Sequence, residues 1–104
     1  MIARIWYGWT SHQNAEKYER LLREEVLLEI AKRSIPGYKG AEIFIREAEN
    51  EEVEFITLLR FETIEAVKTF AGKDYEKPVI PPECKKLLMR HSEKSRHYRI
   101  VQIN

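Results

Sequence analysis

Cysteine is almost absent from this chain. Cys84 stands alone among 104 residues, so no internal disulfide can form and a reduced, cytoplasmic setting is expected. An excess of either charge is missing too: 18 basic residues against 17 acidic ones leave a formal net charge of +1, too weak a field to gather nucleic acid or an anionic membrane. No apolar run approaches the roughly 20 residues that span a bilayer. The amino terminus lacks the parts of a secretory signal, since Arg4 interrupts its apolar start and Tyr7 and Trp9 are bulky, and residue 1 is read as the native start. Repeats, low-complexity tracts and linkers are lacking. A chain of this length fits one domain over residues 1–104, burying roughly 65% of its unfolded surface.

Motifs of known chemistry are equally scarce. The histidines fall at 12, 91 and 97, without the paired spacing of a metal-binding helix, and Cys84 has no partner ligand, so neither a metal nor a cofactor is expected. GxGxxG, P-loop and GxSxG patterns are absent.

What the chain does have is an aromatic opening strand, Ile2 to Trp9, with large side chains on both faces: Ile2 and Trp6 on one, Ile5, Tyr7 and Trp9 on the other. A long helix is predicted from about Asn14, with Ala15, Tyr18, Leu22, Val26 and Ile30 as its buried stripe and Glu16/Arg20, Glu19/Arg23 and Glu29/Arg33 as surface pairs. Ser34-Ile35-Pro36-Gly37 ends it. Strands Ala41 to Glu47 and Val53 to Phe61 form a hairpin around the acidic turn Ala48 to Glu52, and the second is apolar on both sides. Thr63 caps a short helix that Gly72 stops; Pro81-Pro82 opens another; Arg96 to Ile103 alternates as a last strand.

The order β-α-β-β-α-β, with an extra helical turn, predicts an α+β, ferredoxin-like fold: a four-stranded antiparallel sheet with its main helices on one face. The other face of strands 1 and 3 would leave an apolar patch that a soluble monomer rarely exposes, so homodimerisation through the sheet faces is expected.

These residues resemble the antibiotic-biosynthesis-monooxygenase-like members of the dimeric α/β-barrel superfamily over nearly the whole chain. The likeness rests on Met1-Ile2-Ala3-Arg4-Ile5-Trp6, Gly8-Trp9-Thr10, Tyr18 to Val26, Ile35-Pro36-Gly37-Tyr38-Lys39-Gly40, Val53 to Leu58, Phe70-Ala71-Gly72, Asp74-Tyr75-Glu76, Pro81-Pro82 and Ser95-Arg96-His97-Tyr98. It implies a dimeric α/β barrel; activity varies among such proteins on one scaffold. Haem-degrading members carry a strand asparagine, a tryptophan and an iron-ligating histidine where this chain has Trp6, Phe61 and Ile80, which disfavours haem degradation. Cofactor-independent members oxygenate a deprotonated phenolic polyketide in an aromatic and polar cavity. Their asparagine and tryptophan are also missing here, but Trp6 and Phe61 can serve as walls for a flat ligand.

Each candidate residue also has a structural reading. His97, with Tyr75, is the first candidate for catalysis, since a neutral imidazole accepts a phenolic proton; equally, it can bond a carbonyl at the sheet edge. Trp6 and Phe61 can bind substrate or simply pack. Arg4 and Arg99, if inward-facing, orient an acidic ligand or pair with a glutamate across a dimer. His12 reads as a loop residue, His91 as part of an exposed basic stretch, Cys84 as a buried inert thiol, and the glutamates at 47, 49, 51, 52 and 54 as a solvated run around the hairpin turn. The expected function is a cofactor-independent monooxygenase acting on a flat, hydrophobic or phenolic metabolite; the alternative is a non-catalytic ligand-binding or structural homodimer. RNA binding is disfavoured, because Val53 to Leu59 has neither the basic start nor the glycine of an RNA-recognition strand.

Overall fold

Side chains that are apolar on both faces make Ile2–Ser11 the central strand β1 of an antiparallel sheet in the computed structural model, which describes residues 1–47 and 50–104. β2 (Tyr38–Glu47) and β3 (Glu52–Phe61) form the expected hairpin, whose turn residues Ala48 and Glu49 lie outside the described residues. β3 pairs β1 along its full length, from Ile2 opposite Phe61 to Ser11 opposite Glu52. The other edge of β1 carries two short strands, β4 (Leu88–His91) opposite Gly8 to Thr10 and β5 (Arg96–Arg99) opposite Ile2 to Ile5.

Among the described residues the sheet therefore has five strands, not the predicted four. Two segments share the fourth position, broken at Ser92–Ser95. The break is tied to β1 through Ser92, whose N–H donates to the Tyr7 carbonyl (2.9 Å) and whose Oγ accepts from the Tyr7 N–H (3.1 Å). β5 ends at Arg99 rather than Ile103, the Ile100 N–H making a last bond to the Met1 carbonyl. His91, predicted to be exposed, is half-buried in β4 with its ring 5.4 Å from that of Trp6.

One face of the sheet is covered by helix. Helical structure starts at His12, two residues before its predicted start, because Ser11 is the residue whose hydroxyl accepts the Asn14 N–H (3.2 Å). It runs as α1 (His12–Leu21), a π-helical turn (Leu22–Val26) and α2 (Leu27–Lys32). Residues Tyr18, Leu22, Val26 and Ile30 recur every four positions, which overshoots an α-helical turn. The wider turn, closed by the Leu27 N–H on the Leu22 carbonyl, lets that stripe follow the sheet. The helix stops at Ser34 (φ 52°).

Gly37 (φ +90°) brings the chain back beneath the helix that holds Ala66, its carbonyl accepting the Glu62 N–H at 2.7 Å. α3 (Ile64–Ala71) is capped by the Thr63 hydroxyl, which accepts the Ala66 N–H at 3.1 Å, and α4 (Pro82–Leu87) begins on proline.

Two apolar clusters fill the space between helices and sheet. One gathers Ile35, Leu59, Phe61, Ala66, Val67 and Phe70 around α3; the other gathers Tyr18, Leu22, Val53, Phe55 and Cys84 beneath α1 and α4. The opposite face of the sheet is uncovered, and within one chain the sheet stays open rather than closing as a barrel. Tyr7, Phe44 and Tyr98 are 38%, 48% and 52% exposed there. Arg90 lies 4.1 Å over the Trp9 ring, and on the hairpin Glu54 pairs with Arg46 at 3.3 Å. No described helix is long and apolar enough to cross a membrane.

Candidate functional site

On the helix-facing side of β3 the side chains run Phe55, Thr57, Leu59, and the small Thr57 falls at the seam between the two apolar clusters. Its partner across the ladder is Trp6. A cavity of about 60 Å³ opens at this seam, several times the roughly 10–15 Å³ that one water needs. Leu22, Val26, Leu27 and Ile30 wall it from the helix, Leu59 and Phe70 from the sheet and α3, and Val79, Ile80 and Pro81 from the segment leading into α4. The π turn thus supplies two walls, and β1 contributes Arg4 and Trp6.

Trp6 is held in place. Its Nε1–H donates to the Ser92 carbonyl at 3.1 Å, and His91 Nδ1 lies 2.9 Å from the same oxygen, so both rings hang on the break between β4 and β5. Gly8, two residues on, keeps this region open: a Cβ there would lie 2.8 Å from Leu88 Cδ2 and 3.6 Å from both the Trp6 ring and the Tyr18 hydroxyl.

Arg4 is 4% exposed, and its guanidinium is anchored on backbone oxygen. Nη1 donates to the Tyr75 carbonyl and Nη2 to the Lys77 carbonyl (3.2 Å). Nη1 also lies 3.0 Å from His97 Nε2, on the residue opposite Arg4 in β5. Phe70 packs beneath, its ring centroid 5.4 Å from the guanidinium carbon. Burial pulls the guanidinium down to about 10, so it is still charged at neutral pH.

His97 is lowered from the ordinary imidazole range by burial and then by the Arg4 charge, with Glu76 opposing. Its Nδ1 is buried and without a partner among the described residues, and the Tyr75 ring meets it edge-on at 5.1 Å.

The structure brings Arg4, His97 and Tyr75 together and sets Trp6 on the cavity wall, with His97 and Tyr75 behind Arg4 rather than on the wall. Phe61 and Arg99 stand elsewhere. Phe61 is fully buried between Tyr38 and Phe70, filled on all sides by core, and Arg99 is exposed at the end of β5. Cys84 and Tyr18 also reach the wall; burial raises the thiol to about 11 and pushes the phenol upward as well. Thr57, Tyr18 and Ser95 were not picked out as lining residues by sequence. The one available signal was Thr57, a polar residue in the helix-facing register between Phe55 and Leu59. Among the described residues no group of three or more His, Cys, Asp or Glu side chains is placed to hold a metal ion.

Fold and site together define a ferredoxin-like α+β protein with a walled cavity between sheet and helices. No family model matches the chain, and no curated protein does. Among solved structures it is similar to a candidate antibiotic biosynthesis monooxygenase from Bacillus cereus, with 14% identity over 99% of this chain and 94% of that one and a TM-score of 0.61. It is also matched by a dimeric ferredoxin-like protein from an uncultured marine organism, with 13% identity over 98% and 91% of the two chains and a TM-score of 0.45. The first likeness establishes the ferredoxin-like α+β fold that the element order predicted; the second is too distant to add to it.

Proposed function

We propose that this protein binds a flat, largely apolar metabolite in the seam cavity and oxygenates it without a cofactor, working as a homodimer joined through the open sheet faces. The observation that carries the binding part is the seam cavity taken together with the adjoining groove of about 290 Å³ that shares its Val26, Ile30, Phe70, Val79 and Pro81: apolar walls from both layers, an indole fixed by its own hydrogen bond, and a buried cation in Arg4. Support for the reaction comes from the fold neighbour described as a candidate antibiotic biosynthesis monooxygenase. A phenolate can reduce dioxygen with its own ring electrons. One oxygen atom enters the ring and the other leaves as water, so that a phenol and dioxygen give a quinone and water. The protein's part is to keep the phenolate bound, oriented by Arg4 against Trp6 and shielded from bulk water.

A second reading, a non-catalytic binder, is favoured by one specific contact. His97 Nε2 already faces a donor, Arg4 Nη1, and is not free to take a substrate proton. Oxygen uptake with a panel of phenols and hydroquinones separates the two. Stoichiometric uptake that is lost in Trp6→Ala supports oxygenation. Binding seen by Trp fluorescence with no uptake supports the binder, and neither signal with any aromatic overturns the cavity reading.

A further inference from the structure

We infer that residues 72–81, which join α3 to α4, are a strap that closes the seam cavity, and that Arg4 with His97 is its latch, opening when His97 takes up a second proton. The inference rests on the seam cavity being a ligand site and adds how that site is entered and what controls entry.

The closed cavity is small. An apolar cavity on the order of 150 Å³ takes up benzene, so one of about 60 Å³ admits no aromatic body until a wall moves. The walls differ in how firmly they are held. Leu22, Leu59 and Phe70 are buried in the two apolar clusters, on a helical turn, a strand and a helix. Val79, Ile80 and Pro81 belong to no helix or strand, and every residue from 72 to 81 is half-buried or exposed. Such a segment opens at less cost than the core. Val79 and Pro81 also wall the adjoining groove of about 290 Å³, so moving them joins the two spaces.

Between its ends the strap is tied to the rest of the fold by three hydrogen bonds among the described residues. The Ser95 N–H donates to the Glu76 carbonyl (2.7 Å), and Arg4 donates to the carbonyls of Tyr75 and Lys77. Two of the three thus depend on one buried guanidinium, which His97 Nε2 holds in turn at 3.0 Å. Lys77 stands two residues before the wall residue Val79, so the tie lies next to the part that must move.

The groups that face His97 are Arg4 from β1 and Tyr75 and Glu76 from the strap, with Lys68 of α3 behind, 5.7 Å from the Tyr75 ring. A second proton on His97 would put an N–H against the Arg4 N–H and a cation beside a buried cation. Glu76 is the opposing carboxylate, but it is exposed and screened, so the repulsion from Arg4 prevails. The closed strap therefore refuses the proton that an open one accepts, and falling pH favours opening.

The test uses the folded protein without ligand. Hydrogen exchange, corrected for intrinsic rates, follows the Ser95 amide, whose bond to Glu76 reports the closed strap. Between about pH 7.5 and about pH 5 its protection should fall about tenfold, the scale of one hydrogen bond to a charged group, while amides of β1 and β3 keep theirs. His97→Gln, which accepts from Arg4 and does not titrate, should hold the protection at both pH values. Arg4→Lys keeps the charge but cannot span two carbonyls, and should lose the protection at both. If Arg4→Lys does not fold, the His97→Gln comparison decides alone. Equal protection of Ser95 at the two pH values, or a loss in step with β1 and β3, overturns the latch.

Entry is read by acrylamide quenching in Trp9→Phe, where Trp6 on the cavity wall is the single tryptophan. The Stern–Volmer constant should rise at the lower pH, and not when His97→Gln is added. His91, with its ring 5.4 Å from that of Trp6, is present in both proteins, so its own protonation cancels. A Ser95 amide that loosens with no change in quenching overturns the strap as the entrance. Neither measurement needs a ligand, so failure here is distinct from failure of the ligand reading, which the aromatic panel decides.

Discussion

Arg4 and His97 face each other across β1 and β5 with Nη1 and Nε2 3.0 Å apart. Because the guanidinium can only donate, Nε2 is the acceptor, which makes the imidazole neutral and places its proton on Nδ1. That nitrogen is buried with no partner among the described residues. His97 is therefore a positioning residue for Arg4: it holds the guanidinium without neutralising it. A second proton on His97 would set N–H against N–H and break the contact.

The pH dependence of stability follows from this pairing. The folded-state value of His97 lies below the ordinary 6.5, so between the two values the unfolded chain binds a proton that the native chain refuses. Stability is full above about pH 6.5 and falls as pH drops through 6.5 toward the native value. His97→Gln, which can accept from Arg4 and does not titrate, should show a shallower loss over that window. Urea denaturation at a series of pH values checks it, and parallel curves for the two proteins would contradict the assignment.

Gly37 and Gly8 separate two kinds of glycine constraint. At Gly37 an added methyl would lie 2.9 Å from the Ala66 Cβ, which cannot rotate away, and φ is +90°. Gly37→Ala should lose about 1–3 kcal/mol. At Gly8 the obstacle is the tip of the Leu88 side chain, which can swing aside, so Gly8→Ala should lose less but narrow the space beside Trp6 and Tyr18. Equilibrium denaturation ranks the two, and the opposite order would be inconsistent with these contacts.

Much of this was legible in the sequence, and the pattern of success has a physical basis. Period-two alternation is a local property, so Ile2 and Trp6 were assigned to one face and Ile5, Tyr7 and Trp9 to the other, as the structure has them. Thr63 and Gly72 act within one turn of chain and delimit α3 as read. What depends on distant partners was not legible. Leu88–His91 is too short, and too polar at Arg90 and His91, to read as a strand until β1 pairs with it. The π turn is a choice of hydrogen bond with no residue signature. Trp6 and Phe61 looked alike as aromatic strand residues, and only the packing of α3 over one and the gap at Thr57 beside the other distinguish them.

That distinction is measurable. Phe61 is fully buried, and Phe61→Ala should lose about 3–5 kcal/mol; the milder Phe61→Leu should lose stability without changing the affinity of a cavity ligand. Trp6→Leu removes a wall and should weaken binding even where the protein remains folded. Affinities and stabilities measured on the same two variants give a cross-over if the roles are as described. A Phe61→Leu protein that is stable but fails to bind would place Phe61 at the ligand after all.

The open sheet face makes a prediction of assembly. Tyr7, Phe44 and Tyr98 are exposed on it, with Ile5, Trp9, Ile56 and Leu58 half-buried between them, an apolar surface of the kind that soluble proteins cover. If a second copy covers it about a two-fold axis, any substitution enters the interface twice. Tyr7→Lys and Phe44→Lys each place a pair of like charges in that interface, far from the cavity and from the helical layer. Light scattering after gel filtration should give the mass of two chains for the unaltered protein and of one chain for either variant at micromolar concentration. Circular dichroism should show the helices intact in both. An unaltered protein that runs as a monomer, or variants that stay paired, would mean that something other than a second copy of this face covers the sheet.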